Sequence, residues 1–141
     1  MSISDIKVRS NRKTVFVYII ASIVALVVNS VYGIFSHGVS SGAMTWMFLY
    51  PLLGGAFFYV VMGVLIPTAN RINGYRKFYN LYNSGIATLT VGSFLNGILE
   101  IAGTSSPYTI FFYFAGGLLM AVGSIAFSFK LLMAVSTKEI K

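Results

Sequence analysis

Residues Thr14 to Phe35 read TVFVYIIASIVALVVNSVYGIF, 22 residues without one charged side chain. Wound as an α-helix with a rise of about 1.5 Å per residue, this run crosses a hydrocarbon core of about 30 Å. It is apolar on every face, which suits a helix surrounded by lipid; a membrane β-barrel would show shorter segments of alternating polarity. Three more stretches answer the same description: Met44 to Ile66, Tyr79 to Ile101 and Tyr108 to Phe129. The rest of the composition agrees. Of 141 residues, 57% are hydrophobic and 9% charged, and the mean hydropathy of +0.82 lies outside the range of a soluble globular domain. The expected fold is an all-α integral membrane protein: one domain over residues 1–141, with four transmembrane helices in an antiparallel bundle joined by short loops.

The basic residues orient that bundle. Lys7, Arg9, Arg12 and Lys13 precede the first span, Arg71, Arg76 and Lys77 lie between the second and third, and Lys130, Lys138 and Lys141 follow the fourth. The remaining two loops, SHGVSSGA and AGTSSP, carry none. The positive-inside rule then predicts that both termini and the central loop are cytoplasmic. The first span is read as a retained helix, because it is longer than a signal-peptide core and lacks a small-residue cleavage site. A multi-pass protein of a bacterial plasma membrane is the expected location. With no cysteine, thiol redox chemistry and cysteine-ligated metals are excluded.

A net charge of +7 raises the question of nucleic acid, but the charges are divided among short cytoplasmic segments without an aromatic platform, so no nucleic-acid partner is expected. The expected partner is the bilayer itself. Arg71, Arg76 and Lys77, in the segment NRINGYRKFYNLYN, would meet anionic headgroups, with the tyrosines at the interface.

Helices in lipid associate through close backbone approach and interhelical hydrogen bonds, since lipid tails are as apolar as leucine. Ser84, Thr88, Gly92 and Asn96 recur every four residues along the third span, and Gly117 and Ala121 offer a shallow surface on the fourth; these are the expected helix-packing residues. The third span should therefore be central. In the second, Pro51 removes a backbone hydrogen bond just before Gly54 and Gly55, which predicts a kink and a candidate hinge. A weak internal similarity, GIFSHG-VSSGAMTWMF against GILEIAGTSSPYTIFF, is compatible with two tandem helical hairpins and would make Ser36 and Glu100 equivalent.

Glu100 is the only acidic residue outside the two tails, which hold Asp5 and Glu139. Counted from the outer helix ends, Asn29 and Asn96 lie ~8 Å deep and Ser93 ~12 Å. Glu100 and Asn96 share one helix face. Polar groups at such depths usually turn toward the bundle interior. The candidate ligand-binding residues are thus Glu100, Asn96, Ser93 and Asn29, with His37 at the rim of an outward-opening pocket. One His and one Glu fall short of a catalytic metal site, and no metal or cofactor is expected.

No nucleophile with a base and an orienting group, no paired carboxylates and no phosphate-binding loop can be found, so an enzyme is not expected. The first expectation is a non-catalytic accessory or assembly-type subunit that packs against a membrane partner or against itself as an oligomer. The alternative is a small oligomeric transporter or binder of a cationic solute, amphiphile or lipid, working through Glu100.

Overall fold

The structure, a computed structural model, describes the backbone of residues 3–65 and 75–139 and the side chains of residues 12–65 and 76–133. The described backbone outside the turns is helical. Four segments are long and apolar enough to cross a membrane: Arg12–Phe35, Gly42–Leu65, Arg76–Ile101 and Thr109–Met133. Each lies within a few residues of the span expected from the sequence. Arg71 falls outside the described residues.

The first helix, α1, covers Ile3–Phe35 and so begins well inside the basic tail. It ends where backbone bonds can no longer be continued: Ser36 N–H donates to the Tyr32 carbonyl (2.9 Å), and His37 and Gly38 then take positive φ values of 53° and 90°. The second span is not one uniform helix. A short helix, α2 (Gly42–Trp46), gives way to a turn, then to a π-helical segment, Tyr50–Phe57, and then to α3, Phe58–Leu65. Pro51 explains the change of winding. Its nitrogen has no hydrogen, so Met47 O receives Tyr50 N–H instead (3.3 Å), and by Phe58 the N–H reaches back to the Leu53 carbonyl. Near Pro51, Gly54 and Gly55, where the sequence predicts a kink, the helix is wound wider over eight residues.

After the central loop, α4 runs over Tyr75–Ile101 and α5 over Thr109–Glu139. The end of α4 is closed by two bonds, Gly103 N–H to Glu100 O (3.1 Å) and Thr104 N–H to Leu99 O (2.9 Å), with Gly103 at φ 69°. This is a Schellman motif, which needs a residue comfortable in the left-handed region.

Among the spans α4 touches every other. It packs along α5, against α2 and the π segment, and hydrogen-bonds to α1; α1 for its part lies mainly on the π segment and α3. The burial of the most apolar window follows this order, 28% for the third span against 11% for the first. Helices α4 and α5 approach closely at Gly85 and Gly116. A methyl group added at Gly85 would stand 2.7 Å from the Gly116 carbonyl oxygen, and one at Gly116 would stand 3.0 Å from the Gly85 carbonyl oxygen. Two glycines let α4 and α5 meet backbone to backbone, the approach that holds helices together in lipid.

The interior has two centres. One joins Ala25, Met44 and Met47, with Tyr32, Phe94 and Ile98 packed against them, near the two short loops. The other joins Tyr59, Tyr82 and Ile86, with Tyr18, Phe58, Tyr79 and Met120 around them, toward the basic residues. These two ends are called the loop end and the basic end below.

Candidate functional site

At the loop end Ser41 sets the start of α2. It is 2% exposed and extended (φ −109°, ψ 128°), and its Oγ accepts from Met44 N–H at 3.0 Å as an N-cap. The same hydroxyl donates to Glu100 Oε2 at 2.5 Å. The Ala43 N–H also points at that oxygen (3.3 Å), and Asn96 Nδ2 donates to the other, Oε1, at 2.9 Å. One turn deeper, Ser93 is 2% exposed and donates to the Ala43 carbonyl at 2.7 Å. Glu100 therefore holds the first turn of α2, where free backbone N–H groups and the helix dipole favour a negative charge. It does so while remaining exposed itself. Across 59 positions of sequence, the carboxylate and Ser41 tie the third span to the beginning of the second.

Of the five residues read as a pocket, the structure thus brings together Glu100, Asn96 and Ser93, around the backbone of Ala43. Asn29 is half-buried on α1 and makes no hydrogen bond to them; His37 stands exposed in its left-handed turn, with no bond to Glu100. Ser36, aligned with Glu100 in the weak repeat, bonds only locally, to the carbonyls of Gly33 (3.2 Å) and Val39 (2.6 Å). The two loops do share one detail. The Ser41 carbonyl accepts from the Thr45 hydroxyl and the Ser106 carbonyl from the Thr109 hydroxyl, each at the start of a helix.

The residues read as packing surface are distributed differently. Gly92 is buried under Phe112, whereas Ser84, Gly117 and Ala121 are exposed, and nothing lies within 4 Å of a methyl group added at Gly117. Thr88 bonds to the Ser84 carbonyl of its own helix (2.8 Å). The buried face of α4 runs through Tyr82, Gly85, Ile86, Gly92 and Ser93, sharing Gly92 with the expected ridge. Of the candidate hinge, Pro51 and Gly55 are buried, and the Tyr18 ring lies directly on the Gly55 backbone.

A second polar group, absent from the sequence-based expectation, lies at the basic end. Asn83 Oδ1 accepts from two tyrosines on different spans, Tyr18 at 2.7 Å and Tyr59 at 2.6 Å. Thr14 and Tyr79 share a hydrogen bond of 2.8 Å, and Tyr82 donates to the Gly54 carbonyl within the π segment (2.9 Å). The last bond gives that wider helix a partner for one of its carbonyls. The rings are packed as well: Tyr18 stacks on Tyr59 (5.8 Å between centroids), Phe58 on Tyr82 (4.3 Å), and Tyr79 tilts against Tyr59 (5.3 Å). A signal for this group was present. Counted from the basic ends of the expected spans, Tyr18 and Asn83 both lie ~6 Å deep and Tyr59 ~10 Å, one shared level.

Arg76 and Lys77 are exposed at the same end. Among the described residues, no group of three or more His, Asp or Glu side chains could hold a metal ion. No protein-family model matches the chain, and neither curated proteins nor solved structures give a match.

Proposed function

We propose that this is a non-catalytic accessory or assembly-type subunit of a plasma membrane, a four-span antiparallel bundle with both termini in the cytoplasm, which packs against a membrane partner or a second copy of itself. The observation that carries this reading is the engagement of its polar side chains. Glu100, Asn96, Ser41 and Ser93 bond to one another or to the start of α2, and Asn83, Tyr18 and Tyr59 bond to one another. Each set joins spans. A site that exchanges protons or cations with a solute would need its carboxylate available for that solute, and Glu100 already receives three hydrogen bonds from the protein.

The topology is directly testable because the chain has no cysteine. Single cysteines at Ser40 and Thr104 should react with a membrane-impermeant maleimide added outside intact cells, and one at Lys138 only after permeabilisation. The opposite pattern would reverse the orientation. The function is tested by uptake of ethidium into proteoliposomes under a pH gradient. Uptake no greater than in empty vesicles, and the same for Glu100→Gln, is expected. Uptake that depends on Glu100 would overturn the subunit reading in favour of transport.

A further inference from the structure

Between α3, α4 and α5 at the basic end lies a crevice of about 30 Å³, lined by Phe58, Met62, Phe78, Tyr82, Ser124 and Phe127. Its lining is almost wholly apolar. What surrounds it is not. Along the α4 and α5 contact Gly92 meets Phe112, Gly85 meets Gly116, and Phe78 and Tyr82 meet Gly123. Carrying this register onward puts Lys130 opposite Tyr75, within about a turn of Arg76 and Lys77. On the other side, the bond between Thr14 and Tyr79 brings the start of the first span, with Arg12 and Lys13, to the same level.

All five basic side chains are exposed. The one carboxylate among the described side chains is Glu100, at the opposite end of α4. A narrow apolar slot beneath a cluster of cations matches an amphiphile with an apolar tail and an anionic head. At this depth in a membrane-spanning helix pair, the molecule that offers both is a lipid of the surrounding leaflet.

We propose that the crevice is a binding site for one anionic phospholipid, with part of an acyl chain among Phe58, Phe78, Tyr82 and Phe127 and the phosphate among Arg76, Lys77 and Lys130. The site rests on the chain being embedded in a bilayer, and it holds whichever side of the membrane the basic end faces. It differs from general attraction to a charged surface because it has an apolar half. Filling the crevice should abolish it with every cation left in place.

The test moves the single tryptophan, Trp46, to the crevice through the pair Trp46→Phe and Phe78→Trp, in neutral phosphatidylcholine vesicles doped with brominated lipid. Brominated phosphatidylglycerol should quench the indole at position 78 with about fivefold preference over brominated phosphatidylcholine. The preference should vanish with Arg76→Gln, Lys77→Gln and Lys130→Gln combined, and also with Ser124→Phe, which fills the crevice and keeps the cations. Equal quenching by the two lipids, or a preference that survives Ser124→Phe, overturns the site while leaving the membrane reading intact. Quenching by neither lipid overturns both. Native mass spectrometry of the unsubstituted chain gives a second arm: phosphatidylglycerol retained in preference to phosphatidylcholine supports the site, and no preference overturns it.

Discussion

The loop end and the basic end solve the same problem, how to join spans by polar bonds, with different chemistry. At the loop end the acceptor is a charged carboxylate, Glu100, and it is exposed. At the basic end the acceptor is a neutral amide, Asn83, inside a group of aromatic rings. The difference follows from depth. A charge moved into hydrocarbon loses hydration that a few hydrogen bonds do not replace, whereas an amide oxygen loses far less and is satisfied by two hydroxyls. Glu100 sits at the last turn of α4 with its side chain exposed. The carboxylate also gains from pointing at the first turn of another helix, an advantage that no aromatic cluster offers.

The comparison can be tested most severely at the backbone contact beside the aromatic group. Gly85→Val should destabilise by about 3 kcal/mol or prevent folding, because its Cβ would meet the Gly116 carbonyl and Met120 with no flexible neighbour able to yield on the carbonyl side. Gly117→Val, which has open space, should be nearly neutral; denaturant titration in micelles reads both. If the two cost the same, the assigned face of α4 and α5 is wrong.

Asn83→Ala comes next, at about 1–2 kcal/mol, since it removes the acceptor of two interhelical bonds. Thermal unfolding in nanodiscs should show this loss to be insensitive to salt.

Ser41→Ala should cost about 1 kcal/mol through the lost cap of α2. Combined with Glu100→Gln in a double-mutant cycle it should show a coupling of at least about 0.5 kcal/mol, and that coupling should weaken as salt is raised. A coupling that ignores salt would erase the distinction drawn between the two ends. The smallest effect is expected from His37→Gly, a gain of about half a kcal/mol from relieving a positive φ of 53°. The same scans should show it clear of both clusters.

Much of the architecture is legible in the sequence. Run length and the lack of charge located each span, because crossing a bilayer imposes a length that few other structures need. The contacts were less legible. Choosing Ser84 and Gly117 as packing residues missed the contact by one position each, since Gly85 and Gly116 meet while their neighbours face outward. A helix that is apolar all round carries almost no periodic signal to say which face is inside. The glycines showed that a close approach was available, but not at which angle around the helix.

The polar residues divide in the same way. Asn96 and Glu100, four apart on one helix, were brought together by helical geometry alone. The partner of Glu100 was Ser41 instead of His37 or Asn29, because the carboxylate meets the loop at the point where a buried N-cap starts the second span. That point depends on how two non-adjacent segments dock.

By itself the sequence determined the helical class, the four spans and the concentration of positive charge near three of their boundaries, all consequences of local composition and of the bilayer's thickness. Only the tertiary structure decided that Pro51 begins a π-helical stretch, that Tyr82 supplies a hydroxyl to its Gly54 carbonyl, that Asn83 is shared by two tyrosines, and that Glu100 holds the start of α2. The last three join residues at least 24 apart, and such pairings are set by how helices rotate and slide against one another, which no single helix encodes.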